Sequence, residues 1–185
     1  MDVALDKAVR IFSERGYSAT SIGDLTDAME LASGSVYKAF KDKRAVFLAA
    51  FDRYKSMRDK KLGRAIRADC SGRDKLRDAL EFYADASQGA EGGRGCLVIG
   101  SAVELASRDR EIAMCAKTDF RRNEAVLAEI IREGQADGSI QPRIDAAAVA
   151  RLLVCLTQGL RVTGKTGRSR AELATIVDTA MRLVD

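Results

Sequence analysis

Residues 17–43 read YSATSIGDLTDAMELASGSVYKAFKDK. Thr20 or Ser21 can cap a helix, and Asp24 stands three residues beyond Ser21, in the spacing of a capping box. Ile22, Leu25 and Ala28 then recur at helical spacing and give that helix an inner face. A break at Glu30-Leu31-Ala32 follows, and Ser33-Gly34 open a second short helix that ends near Phe40. Its Val36 and Phe40 face inward. Its other positions are small or polar, with Tyr37 and Lys38 side by side. Two short helices joined by a tight break, the second polar on its outer side, form a helix-turn-helix pattern. Spacing alone leaves open whether that outer side is a solvated face or a binding face.

The flanking sequence extends the pattern. Upstream, Asp2 to Arg15 carries Ala4, Leu5, Ala8, Ile11 and Phe12 at a period of 3.6, and Gly16 closes it. Downstream, Asp42-Lys43 start a long helix with Val46, Phe47, Phe51, Tyr54, Met57 and Leu62, reaching about Ile66. From residue 73 onward, amphipathic helices are expected at about 73–88, 95–107, 109–136, 146–163 and 169–184. Gly-rich EGGRG (91–95) and DGSIQPRID (137–145) act as separators. No repeat or low-complexity tract interrupts them.

Composition agrees with an all-α fold of about nine helices. The 185 residues include one proline, Pro142, and no tryptophan; 46% are hydrophobic and 31% charged. A chain of this make-up buries a core rather than staying disordered. No apolar run is expected to approach the roughly 18 residues of a membrane span, and the amphipathic start MDVALDKAVR lacks the apolar block of a secretion signal. A cytoplasmic protein is the expectation, with no membrane partner.

Histidine is absent, which removes the commonest metal ligand and general base. Cys70, Cys96, Cys115 and Cys155 form no CxxC pair, which argues against a zinc site and against a disulfide framework. No paired carboxylates or nucleotide loop are evident, so an enzyme is disfavoured, no catalytic residue, metal or cofactor is implied, and Glu104 and Asp119 read as solvated or salt-bridged. Charge is uneven. Residues 1–65 hold 13 Lys+Arg against 9 Asp+Glu, and the remaining 120 residues hold 18 of each. A negatively charged partner would meet the basic first third.

The run AVRIFSERGYSATSIGDLTDAMELASGSVYKAFKDKRAVFLAAF (residues 8–51) closely resembles the DNA-binding domain of the TetR family of bacterial transcriptional regulators. Ala8, Phe12, Gly16, Tyr17, Thr20, Ser21, Ile22, Leu25, Ala28, Gly34, Ser35, Tyr37, Phe40, Lys43 and Leu48 carry the match. The sequence departs at Glu30, where the family usually has Gly, and at Ala32, where it often has Ser. Glu30 should therefore adopt αR-compatible geometry or strain slightly, and Ala32 omits one polar contact.

The resemblance implies a helix-turn-helix domain over residues 1–47 and an effector-binding, dimerising domain over residues 48–185. It implies a repressor that binds a palindromic double-stranded DNA operator as a homodimer and is released by a small-molecule effector. Thr20 and Ser21 match positions that contact the DNA backbone. Ser33, Gly34, Ser35 and Lys38, at the front of the second helix, are the expected base readers. Tyr37, Lys38, Lys41 and Lys43 supply phosphate contacts.

The last two helices would pair with a second copy through Leu152, Leu153, Leu156 and Leu160 and through Ile176, Val177, Ala180 and Met181; both stripes are wide enough to serve core and partner together. An effector pocket would draw on Phe82, Tyr83, Leu97, Val98, Val103, Phe120 and Leu127, although apolar residues at helical spacing are equally core. Cys96, after a Gly-rich break, beside Arg94 and at a helix start, is the candidate for an electrophile- or redox-sensing alternative. A second alternative is a helix-turn-helix protein that acts only through protein contacts.

Overall fold

The computed structural model describes residues 2–185, apart from the side chain of Ser33. The described residues are helical and contain no strand. The helices are α1 (Asp2–Arg15), α2 (Ile22–Met29), α3 (Ser33–Ala39), α4 (Lys43–Ala65), α5 (Gly72–Asp85), α6 (Gly89–Arg94), α7 (Leu97–Leu105), α8 (Arg110–Asp137), α9 (Ala146–Thr163) and α10 (Arg170–Met181). Two 3-10 turns follow α9 and α10. The nine helices expected from periodicity are all present. The additional short helix α6 occupies the Gly-rich stretch read as a separator.

The helix ends follow local chemistry. Ser21 caps α2 by accepting the amide of Asp24, whose side chain accepts the Ser21 amide in return, completing the capping box. Ser169 and Glu172 repeat this device on α10, and Asp145 accepts the amides of Ala147 and Ala148 at the start of α9. Glu30 closes α2 at φ 55° and ψ 40°. Leu31 N–H then donates to the Thr26 carbonyl at 3.1 Å and Glu30 N–H to that of Asp27 at 3.2 Å, the crossed pair of a Schellman ending. Of the two outcomes open to Glu30, the chain takes the strained one. It is the non-glycine residue with positive φ among the described residues.

By its contacts the chain divides into two compact units, residues 1–59 with 94–116, and residues 60–93 with 117–185. In the first, Phe12, Leu25, Val36, Phe47, Phe51 and Ile112 are fully buried. Phe47 meets Phe12 edge-on at 5.0 Å and Tyr17 edge-on at 5.1 Å. These edge-to-face contacts add to the apolar burial that joins α1 to α4. In the second unit, Leu76, Leu80, Leu127, Ile131, Leu153, Leu173 and Met181 form one core from α5, α8, α9 and α10. The approach of α5 to α8 is backbone to backbone: a Cβ on Gly72 would overlap the main chain of Gly134.

The stretch Ala146–Thr166 is long and apolar enough to cross a membrane by composition. Here its Leu153, Val154 and Leu160 face packs into the second core.

Candidate nucleic-acid interface

The residues expected to meet DNA lie at the start of α2, along α3, in the α3–α4 connection and at the start of α4. The α3 helix is short, and only one side of it is used internally. Val36 is fully buried and Phe40 half-buried, while Gly34, Ser35, Tyr37 and Lys38 are exposed, as is Lys41 just beyond. Tyr37 is 54% exposed. The outward aromatic ring, with Lys38 and Lys41 beside it and a small polar front, forms a face with no anionic side chain on α3. The remaining expected residue of this face, Ser33, has its side chain outside the described residues.

Two expected backbone-contacting residues are instead engaged inside the fold. Thr20 is fully buried, and its hydroxyl donates to the Gly16 carbonyl at 2.7 Å. Lys43 directs its ammonium inward, donating to the carbonyls of Tyr17 at 3.0 Å and Thr20 at 2.9 Å. It also lies 4.2 Å from the centre of the Tyr17 ring, within cation–π range. Thr20 and Lys43 therefore hold the α1–α2 connection in shape. Ser21 is exposed, but its hydroxyl both caps α2 and donates to Asp24 at 2.6 Å. The Asp24 carboxylate is held below its ordinary range chiefly by these Ser21 hydrogen bonds, with Arg15 adding to them.

Glu104 is a residue of the site that spacing did not disclose. It sits on α7, and its two carboxylate oxygens accept the amides of Tyr17 at 2.9 Å and Ser18 at 2.6 Å. Partial burial opposes its charge, but the Ser18 and Tyr17 hydrogen bonds and nearby Lys43 outweigh that and keep its pKa below the ordinary value. Gly16 makes room for it at φ 83°, where a Cβ would lie 2.8 Å from Glu104 Oε2. Next to it, Arg44 grips both oxygens of Asp109 at 2.7 and 3.1 Å and reaches Glu111 at 2.6 Å. Asp109 is thereby lowered to about 2, mainly by the Arg44 hydrogen bonds and then by the Ile112 amide. These partners lie 65 to 87 residues apart, so no local pattern announces them.

The chain matches two family models: bacterial regulatory proteins of the tetR family over residues 4–50, and the tetracyclin repressor-like C-terminal domain over residues 72–181. This chain belongs to the TetR family. Among similar proteins, the HTH-type transcriptional repressor ComR of Escherichia coli is 30% identical over 183 residues, covering 98% of this chain and 87% of ComR. The HTH-type transcriptional repressor DhaR of Mycobacterium sp. is 28% identical, over 91% of this chain and 84% of DhaR. Among solved structures, a cysteine-mutant form of the TetR family transcriptional regulator CifR complexed with 26-bp operator DNA aligns with a TM-score of 0.87. It is 27% identical and covers 98% of this chain and 95% of that one.

The other expected sites of this TetR-family chain are placed as follows. Of the effector-pocket residues, Leu97, Val98 and Val103 belong to the first unit, and Phe82, Tyr83, Phe120 and Leu127 to the second. Leu97, Val98, Tyr83 and Leu127 are core, Phe82 and Phe120 are half-buried, and Val103 is 82% exposed. The Val103 side chain points away from the side of α7 on which Ser101 and Leu105 are buried.

In the second unit, a cleft of about 300 Å³ lies between α5 and α10, with Ala84, Leu173 and Val177 beneath Arg77, Asp85, Arg170 and Asp178. Cys96 is half-buried at the cap position of α7, and its sulfur accepts the Tyr54 hydroxyl at 3.4 Å.

The α9 and α10 stripes divide. Leu153, Leu160, Val177, Ala180 and Met181 are buried within the protomer, so they are core rather than partner surface. Leu156 and Ile176 are half-buried. Leu152 is 53% and Val162 52% exposed, with the exposed Cys155 and Gly159 between them on the same side of α9. Apolar periodicity marks both sides of α9 alike; only packing tells the inner one from the outer.

Proposed function

We propose that this chain is a DNA-binding transcriptional regulator that represses from a palindromic operator as a homodimer and is released by a small-molecule effector. The observation that carries the reading is the outward face of α3: Gly34, Ser35, Tyr37 and Lys38 are exposed while Val36 anchors the helix from behind. A helix with a small polar front can enter the major groove, and its tyrosine and lysines can fix register on phosphates. Ser33, Gly34, Ser35 and Lys38 are the proposed base readers, and Tyr37, Lys38 and Lys41 the proposed phosphate contacts. The names of ComR, DhaR and CifR, two repressors and a regulator solved with operator DNA, support this assignment.

The exposed side of α9, with Leu152, Cys155 and Val162, is the proposed seat of the second copy. A two-fold pair places two recognition helices about one turn of DNA apart, matching a palindrome. Release is then a population shift toward a conformer whose recognition helices are wrongly spaced. The α4 helix suits the transmission. It carries Val46, Phe47 and Phe51 in the first core and Leu62 in the second.

Fluorescence anisotropy with DNA from the regions flanking its own gene, titrated at several salt concentrations, tests the reading. Tight binding at dimer stoichiometry, outcompeting random DNA with a steep salt slope, is the expected result. Binding no tighter than to random DNA at every flanking region would count against it.

A further inference from the structure

The α1–α2 connection is held from two sides by charged groups that hydrogen-bond its backbone. Lys43 donates to the carbonyls of Tyr17 and Thr20. Glu104 accepts the amides of Tyr17 and Ser18. Both charges act on main-chain atoms, so they fix the path of the backbone itself. That path matters because α2 begins immediately after it, at Ile22, and α2 carries α3 through the tight turn at Glu30. Lys43 comes from within the DNA-binding domain. Glu104 does not: it belongs to α7, inside the stretch matched by the C-terminal family model, yet it packs with the first compact unit.

Asp109 and Glu111, from the same stretch, supply a second tie by pairing with Arg44. Charge-assisted bonds to paired amides are among the stronger polar contacts, and withdrawing Glu104 would leave two amide donors without their acceptor.

We propose that Glu104 is a positioning residue for DNA binding: its carboxylate clamps the Tyr17 and Ser18 amides and so sets the pose of the helix-turn-helix from within the effector-binding region. The inference rests on the DNA-binding function proposed above and names a point at which that function is regulated. A shift of α7 that withdraws the carboxylate loosens the connection ahead of α2. The recognition helix is then in its DNA-ready pose for a smaller fraction of the time, and apparent affinity falls by that fraction.

Glu104→Gln tests this, because it keeps the size of the side chain but replaces one acceptor oxygen with a donor that opposes an amide. The DNA is a site enriched from random-sequence duplexes by the wild-type protein. The expected result is an affinity for that site lowered by about tenfold, unchanged affinity for random DNA, and partial recovery in Glu104→Asp. Mere removal of a negative charge near DNA would instead tighten binding to both. Operator binding equal to or tighter than wild type overturns the inference while leaving the DNA-binding function intact. Failure of the wild-type protein to enrich any site overturns that function, and the inference with it. Amide exchange in the wild-type protein gives a check that does not depend on a variant folding: slow exchange at Tyr17 and Ser18 is expected, and exchange at the rate of an open loop overturns the clamp.

Discussion

At the scale of single residues, α3 separates roles sharply. Val36 packs and Tyr37 does not, although they are neighbours. Tyr37→Ala should leave thermal stability within about 0.5 kcal/mol, as for other exposed sites, and weaken operator binding by about tenfold, as loss of one charged-group hydrogen bond does. Lys38→Ala should reduce the slope of log affinity against log salt by about one phosphate's worth. An affinity titration at three salt concentrations separates the two effects. Glu30 makes the opposite kind of prediction. Its left-handed backbone costs about 1 kcal/mol, and its ion pair with Lys7 at 2.6 Å joins a side chain that is 78% exposed, so the pair contributes little. Glu30→Gly should therefore stabilise the protein by about 0.5 kcal/mol once the extra entropy of glycine in the unfolded chain is counted. Urea unfolding would show this as a higher midpoint with an unchanged slope.

At the scale of elements, caps and close contacts decide where helices start and how near they come. Asp145→Ala removes the acceptor for two amides at the start of α9 and should cost about 1 kcal/mol. Gly72→Ala drives a methyl into the Gly134 backbone and should cost about 1–3 kcal/mol through overpacking. The junction of α4 with the start of α8 is electrostatic, and its sign is fixed by the lowered carboxyl of Asp109, at about 2. A depressed carboxyl stabilises the fold fully above its unfolded pKa, near 4, and the contribution fades as pH falls toward about 2. Urea stability should fall between pH 4 and pH 2 in wild type, and that fall should be shallower in Arg44→Gln. Equal slopes in both proteins would sink the assignment.

At the scale of the whole molecule, the described residues form a core in each compact unit and leave Leu152 and Val162 exposed on one side of α9. Leu152→Glu puts a charge on that side without touching the buried Leu153 beside it. It should yield a folded monomer by analytical ultracentrifugation and lose tight operator binding, since each half-site alone is weakly held. A dimer that persists in Leu152→Glu would move the interface elsewhere. The sequence by itself determined the helical class, the bounds of α1 and α9, the capping box at Ser21 and the inward turn of Val36. All of these follow from interactions within about four residues, which periodicity and capping patterns record. Only the tertiary structure decided that Thr20 and Lys43 face inward, that Leu153 and Leu160 belong to the core while Leu152 and Val162 do not, and that Glu104 reaches the amides of Tyr17 and Ser18. Each of these depends on which face of a helix meets a neighbour distant in the chain. A helix that is apolar on two sides, or a carboxylate 86 residues from its donor, leaves no mark of that choice in local sequence.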